Sequence, residues 1–243
     1  MKRLLIGCLA LNLLACGANP PREEDSHNPA RINAELGLSY MQNGNYDLAM
    51  IKLKKALAEE PRLAEAHHYL AELYRRTGNE DGAMEEYRNA LQFAPDDPQV
   101  HGNYAIYRCD LGDFELAEKA FEETIELYRD RRRFGVHEQA AACALKAQNN
   151  ALAERHLRAA LSGNPKSAFA LFHMASLMYQ GKHYLQARAF MQRLDLVNQG
   201  SVESLQLGGK IEQALDNPEG AEAYRKRAAA ATSKSDDKGS DRP

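Results

Sequence analysis

The sequence repeats itself with a period of 34 residues over most of its length. Alanines recur at intervals of 34, 34, 36, 34 and 34 residues, each surrounded by a similar pattern of large apolar, small and turn-forming residues. A period of this length predicts a linear stack of helical hairpins, because one hairpin cannot bury its apolar face alone. The recurring alanines are Ala49, Ala83, Ala117, Ala153, Ala187 and Ala221.

Each unit combines small and large residues at fixed positions. The first helix has Leu at position 7, a small residue at 8 and Tyr at 11; the second has Ala at 20 and 27 and an aromatic at 24. The first unit supplies Leu36, Gly37 and Tyr40. The pattern is similar to that of the tetratricopeptide repeat. It predicts an all-α fold, a right-handed superhelix of six repeats with about twelve helices.

The predicted units are residues 30–63, 64–97, 98–133, 134–167, 168–201 and 202–231. The fourth departs most from the pattern, and the two extra residues of the 36-residue interval fall near 128–134. The sixth has a polar second helix, as expected where nothing stacks beyond it. Residues 232–243 are polar and of low complexity, which predicts a disordered tail.

The amino terminus has the organisation of a secretory signal. Lys2 and Arg3 precede an apolar run that ends at residue 15, and a helix of that length, about 18 Å, is too short to cross a hydrocarbon core of about 30 Å. The run ends in LLAC at Cys16, which resembles the bacterial lipobox and implies lipidation of Cys16. The alternative is an ordinary signal with a chance cysteine. Gly17 implies sorting to the outer membrane, so we expect a lipid-anchored protein on its periplasmic face, with residues 16–29 as a flexible tether.

Charge and motifs argue against several function classes. The chain has 31 basic and 34 acidic residues, a formal net charge of −3, so we expect no nucleic-acid partner, which would need a basic face. The eight histidines are scattered without metal-ligand spacing, and no phosphate-binding loop occurs. We therefore expect a protein that is not an enzyme, with no catalytic residues, metal or cofactor.

Two cysteines remain once the signal segment and the lipidated residue are set aside. Cys109 lies at position 12 of the third unit and Cys143 at position 10 of the fourth. Neighbouring first helices pack side by side, so these side chains can meet, and an oxidising periplasm favours a bridge. The alternatives at this point are a disulfide and two separate buried thiols.

The first helices of such repeats line the inner wall of the superhelix through positions 2, 5, 9, 12 and 13. Side chains at these positions predict a partner-binding groove, and apolar ones suit a helix or an extended peptide. The alternative for each residue is packing against a neighbouring repeat. The predicted groove residues are Leu38, Met41, His68, Arg75, Ile106, Phe169, Phe172 and Tyr179.

Three consecutive arginines, Arg131, Arg132 and Arg133, lie in the segment that carries the two extra residues. Their guanidinium groups suit an acidic partner, because arginine binds carboxylates through paired hydrogen bonds. A solvated helix end explains the run equally well.

Two segments in the middle of the chain resemble the type IV pilus pilotin family (PilF/PilW). Residues 103–112 (NYAIYRCDLG) resemble the family's Asn-Tyr-Gly-x-Phe-Leu-Cys-x-x-Gly, with Ala105 for Gly and Tyr107-Arg108 for Phe-Leu, and residues 142–147 (ACALKA) resemble its Gly-x-Cys-Ala-x-x-Ala segment. Together with the lipobox, the tether and the six repeats, the resemblance extends over essentially the whole chain.

This resemblance implies an outer-membrane lipoprotein that binds the pilus secretin and promotes its localisation and multimerisation. It implies lipid on Cys16 and a disulfide between Cys109 and Cys143. We expect the protein to be monomeric on its own. The alternative functions are a scaffold lipoprotein of another envelope machine, such as outer-membrane protein assembly, and an accessory subunit of a cell-wall enzyme.

Overall fold

The computed structural model of the chain describes residues 28–197 and 200–240. The predicted signal segment at 1–15, the predicted lipidation site at Cys16, the tether up to residue 27 and the last three residues lie outside this part. Within it, the chain forms helices joined by short turns and contains no strand.

Twelve helices occupy the described residues, two for each predicted unit. The predicted fold class, an all-α superhelical array of two-helix repeats, is confirmed. The helices are α1 (Pro29–Gln42), α2 (Tyr46–Glu59), α3 (Ala64–Thr77), α4 (Glu80–Phe93), α5 (Pro98–Asp110), α6 (Phe114–Leu127), α7 (Arg133–Lys146), α8 (Asn150–Gly163), α9 (Ala168–Gln180), α10 (Tyr184–Asp195), α11 (Val202–Ala214) and α12 (Pro218–Ser240).

Small residues let the two helices of a unit approach closely. The periodic alanines lie in the core, and Ala49 and Ala83 are fully buried. At Gly37 of α1, an added Cβ atom would lie 2.6 Å from a side-chain carbon of Leu53 on α2. No side chain fits there unless Leu53 moves, so the close approach of α1 and α2 requires glycine at position 37.

The turn inside every unit places one residue in the left-handed region, always at the same repeat position. Glycine adopts this conformation freely, whereas a residue with a Cβ atom is strained there by roughly 1–2 kcal/mol. The φ angles are 76°, 77° and 84° at Gly44, Gly78 and Gly112, and 57°, 62° and 53° at Gln148, Lys182 and Asp216. The first three turns are therefore free of this strain and the last three are not.

Position 7 of the first helix shows how each unit covers the next. Leu70 and Met174 are 3% and 0% exposed, because each packs against the second helix of the preceding unit. In the first unit, Leu36 at the same position is 39% exposed, and Ile32 on the same helix is 44% exposed. Nothing among the described residues covers this end of the array.

Helix α12 is longer than the last repeat requires. The polar composition predicted disorder from residue 232, whereas α12 continues to Ser240. Residues 228–231 are four consecutive alanines, the strongest helix formers, and they carry the helix beyond the predicted boundary. The structure differs from the prediction for this reason.

The connector between α6 and α7 differs from the other junctions between units. Asp97, Ser167 and Ser201 cap α5, α9 and α11 by accepting hydrogen bonds from backbone N–H groups. The N-cap position of α7 holds Arg132, whose side chain has no capping hydrogen bond. The extra residues thus place an arginine where three of the four other junctions have a capping oxygen; at the remaining junction the N-cap of α3 is Leu63, which also has no capping side chain.

The matched leucines Leu36 and Leu70 test whether burial by the preceding unit stabilises the array. We expect Leu70→Ala to lower the free energy of unfolding by about 2–5 kcal/mol, because it opens a cavity in the core. Leu36→Ala should cost less than about 1 kcal/mol, because its side chain is already partly solvated. Urea denaturation followed by circular dichroism measures both, and equal losses would show that the first unit is covered after all.

Candidate functional site

A cavity of about 810 Å³ opens between the first helices of the third, fourth and fifth units. Residues of α5 and α7, the first turn of α9, the end of α6 and the connector line it. Its size lies within the range of ligand-binding clefts, and its lining mixes apolar and hydrogen-bonding groups. The lining includes Gln99, Gly102, Arg132, Glu138, Gln139 and Phe169.

A disulfide joins the two helices that form the long walls of this cavity. Cys109 on α5 and Cys143 on α7 are bonded, with their Cα atoms 5.8 Å apart. Next to the bridge, the Lys146 ammonium donates hydrogen bonds to the backbone oxygens of Cys109 (3.1 Å) and Asp110 (3.3 Å). These bonds satisfy carbonyl groups at the C-terminal end of α5. The spacing between α5 and α7 is therefore held at one end by a covalent bond and a lysine.

Loss of the disulfide should destabilise the protein. The bridge spans a sequence separation of 34 residues, so closing such a loop contributes about 3–4 kcal/mol on the chain-entropy model. We expect Cys109→Ser with Cys143→Ser to lower the urea midpoint of the purified protein, and reduction of the wild type to have the same effect. Mass spectrometry of unreduced peptides gives the direct measurement, and two free thiols in protein isolated from the periplasm would contradict the assignment.

A histidine cluster fixes α7 against α6 and α8 behind the cavity. His156 is 2% exposed, and its Nε2 lies 3.0 Å from a Glu118 carboxylate oxygen, while its Nδ1 lies 2.9 Å from Nδ1 of His137. The Nδ1 atoms of the two rings share one hydrogen bond, in which one nitrogen donates and the other accepts. Arg155 also donates to Glu118 (2.5 Å).

The environment of His137 opposes its protonation. Burial of the ring, followed by the positive charges of His156, Arg133 and Arg155, lowers the pKa of His137 to about 4 from an ordinary value of 6.5. The unfolded chain therefore binds a proton more readily than the folded one between these two values. Stability contributed by this site is present above pH 6.5 and is lost as the pH falls towards 4.

Replacing His137 should therefore flatten the dependence of stability on pH. We expect the melting temperature of the wild type to fall as the pH is lowered from 6.5 to 4, and His137→Gln to fall less over the same interval. Thermal melts at several pH values measure the difference. His183→Gln, which changes an exposed histidine outside the cluster, is the control, and parallel curves for all three proteins would contradict the prediction.

The predicted groove residues lie in several different environments. Phe169 lines the cavity. Arg75 is half-exposed and is held by Glu72 (3.0 Å) and Asp110 (3.3 Å), which links α3 to α5. The remaining half-buried residues pack partly against the core and keep one side exposed; they are Leu38, Ile106, Phe172 and Tyr179.

Two of the predicted groove residues are buried, and these assignments are corrected. Met41 is 2% exposed and packs among Ala49, Leu53 and Leu70, so it offers no surface to a partner. His68 is 6% exposed, and its Nε2 lies 2.8 Å from the Asn103 amide nitrogen, so the ring fastens α3 to α5. In both cases the neighbouring helix covers a position that the repeat pattern assigns to the inner wall.

Sequence reasoning missed most of the residues that line the cavity. Gln99, Gly102, Glu138 and Ala142 occupy positions 2, 5, 5 and 9 of their units, which are positions of the inner wall. The repeat positions therefore indicate these residues as part of the inner wall. A groove whose floor consists of glycine and alanine leaves room for the side chains of a partner.

A second surface lies on the first unit, where large apolar side chains remain exposed. Ile51 is 60% exposed and Leu48 is 44% exposed on α2, and Ile32 and Leu36 are exposed on α1. Among the exposed large apolar side chains of the described residues, more lie in the first unit than in any other.

None of the described helices combines the length and the apolar character that a membrane crossing requires.

The helical hairpins and the cavity between their first helices define a tetratricopeptide repeat protein, a class that binds other proteins through such surfaces. The tetratricopeptide repeat family model matches residues 40–105. The chain is 30% identical over 234 residues to the type IV pilus assembly protein PilF of Pseudomonas aeruginosa, covering 92% of this chain and 91% of that protein. It therefore belongs to the PilF/PilW family of type IV pilus biogenesis proteins.

Two solved structures of this family are similar to the fold of this chain. A structure of Pseudomonas aeruginosa PilF aligns with a TM-score of 0.70 at 27% identity, over 81% of this chain and 88% of that one. The crystal structure of PilW, described as a widely conserved type IV pilus biogenesis factor, also gives 0.70, at 24% identity, over 83% and 92% of the two chains. The PilW likeness supports the fold alone.

Proposed function

We propose that this protein is a pilotin, a lipoprotein of the outer membrane that binds the pilus secretin and promotes its localisation and multimerisation there. The observation that carries the proposal is the 30% identity to a type IV pilus assembly protein over 92% of the chain. The sequence resemblance to pilotins adds the lipobox and both paired cysteines.

Membrane attachment in this proposal comes from lipid on Cys16. The predicted tether, residues 16–29, would lie between this lipid and the first unit. Two or three acyl chains make such an anchor effectively stable. The repeat array is thereby confined to a thin layer beneath the outer membrane.

Binding in this proposal uses exposed surfaces of the array and makes or breaks no covalent bond. The cavity between α5, α7 and α9 and the apolar surface of the first unit both present groups suited to a protein partner. Once one secretin subunit is bound, tethering raises the local secretin concentration at the membrane, which favours assembly of the multimer without any further contact.

A deletion strain complemented with variants tests the proposal. The wild-type gene should restore secretin multimers in the outer-membrane fraction, whereas Cys16→Ala should leave the protein off the membrane and the secretin monomeric or misplaced. Cys8→Ala, which changes a cysteine within the signal segment, is the matched control and should behave as wild type. Gel analysis of fractionated membranes measures each outcome.

Unchanged secretin multimers in the deletion strain would overturn the pilotin assignment. If instead the deletion strain lost a peptidoglycan enzyme or outer-membrane protein assembly while its secretin remained normal, one of the alternative scaffold functions would replace it.

A further inference from the structure

We propose that the cavity between α5, α7 and α9 binds an extended segment of the partner that carries an acidic side chain next to an apolar one. The acidic side chain is bound by Arg132, and the backbone of the segment is bound by amide side chains of α5 and α7. This inference rests on the proposed function, because it takes the secretin as the partner.

Arg132 is held in place for binding a carboxylate. Its guanidinium carbon lies 4.7 Å from the centre of the Tyr128 ring, and its Nε donates to an Asp130 carboxylate oxygen at 2.9 Å. Its two terminal nitrogens have no acceptor among the described residues, and the residue lines the cavity. A guanidinium group placed over an aromatic ring with two terminal nitrogens left over can bind a carboxylate through paired hydrogen bonds.

The charge around this end of the cavity favours an acidic occupant. The segment from 129 to 133 contains four arginines and one aspartate, a net charge of +3. Glu138 is a carboxylate among the lining residues named above, and it has no ion pair within the described part of the chain. It lies on α7 beyond the first turn, where it can accept a hydrogen bond from a backbone N–H of the occupant. Arg132 would bind an acidic side chain of the segment and Glu138 would accept from one of its backbone N–H groups. These two contacts would orient the segment in the cavity.

Unpaired amide groups indicate an extended backbone rather than a helix. Gln99 on α5 and Gln139 on α7 both line the cavity, and neither side chain has a hydrogen bond within the described residues. A primary amide donates and accepts, as a peptide backbone does. A helix satisfies its own backbone groups, whereas an extended segment has free ones to exchange with these two amides.

The floor of the cavity leaves space for an apolar side chain. Gly102 and Gly135 have no side chain, and a Cβ atom added at Gly135 would meet nothing within 4 Å. Val136, Ala142 and Phe169 complete an apolar surface next to these glycines. A medium-sized aliphatic or aromatic side chain of the partner would bury its surface there, and this contact would supply most of the affinity.

Three variants separate the parts of this proposal. Arg132→Glu reverses the charge at the cavity, Gly135→Leu adds a side chain where a Cβ atom meets nothing within 4 Å, and Arg88→Glu makes the same charge change at an exposed position of α4 outside the lining. The probe is the purified secretin of the same bacterium, and its binding to each variant is measured by biolayer interferometry. Circular dichroism melts establish that each variant is folded.

We expect Arg132→Glu and Gly135→Leu each to weaken secretin binding at least about tenfold, equivalent to about 1.4 kcal/mol, and Arg88→Glu to change it less than about twofold. Overlapping short peptides of the secretin should then identify a segment whose acidic residue is coupled to Arg132. Its replacement by glutamine should weaken binding to the wild type but not to Arg132→Glu.

The outcomes distinguish this inference from the proposed function. If the wild type and all three variants bind secretin equally, the cavity is not the site, and the pilotin assignment stands. If Gly135→Leu abolishes binding while Arg132→Glu does not, the cavity binds an apolar segment, and the proposed binding of an acidic side chain by Arg132 is wrong. If the wild type does not bind secretin at all, the proposed function and this inference both fail.

Discussion

The close contact between the two helices of each hairpin determines the rest of the structure. It depends on small residues at fixed positions, such as the fully buried Ala49 and Ala83, and on Gly37, where a Cβ atom would lie 2.6 Å from Leu53. Because the paired helices cannot separate, each hairpin behaves as one block and stacks on the next. The first helices then lie beside one another, and the cavity forms where three of them meet the connector.

The third and fourth units need additional support because their junction contains the two extra residues. The disulfide, the Lys146 contacts and the His137–His156 pair all lie at this junction. They hold α7 against α5 on one side and against α6 and α8 on the other. A rigid frame of this kind is what a binding cavity requires, since a site on moving walls must be ordered each time a partner binds.

The period made the helices and the fold class predictable, because a two-helix unit has few ways to bury its apolar face. The repeat positions also placed Cys109 close to Cys143, although position alone left open whether they bond. Exposure was harder to predict: Met41 occupies a groove position, yet α2 and α3 cover it. The course of the connector follows no repeat rule, so the part of the cavity that it lines could not be predicted, whereas the repeat positions indicate the lining residues of α5 and α7. The contact of His137 with His156 likewise depends on how α7 and α8 pack.

The left-handed turns imply that the two halves of the array differ in how readily they open. Glycine occupies this position in the first three hairpins, whereas Gln148, Lys182 and Asp216 hold a disfavoured conformation in the last three. In a linear array each hairpin contacts only its neighbours, so local strain stays local. Local unfolding of the array would therefore begin at the carboxyl end and stop near the disulfide. The amino-terminal half would remain folded while the carboxyl-terminal half frays and closes again.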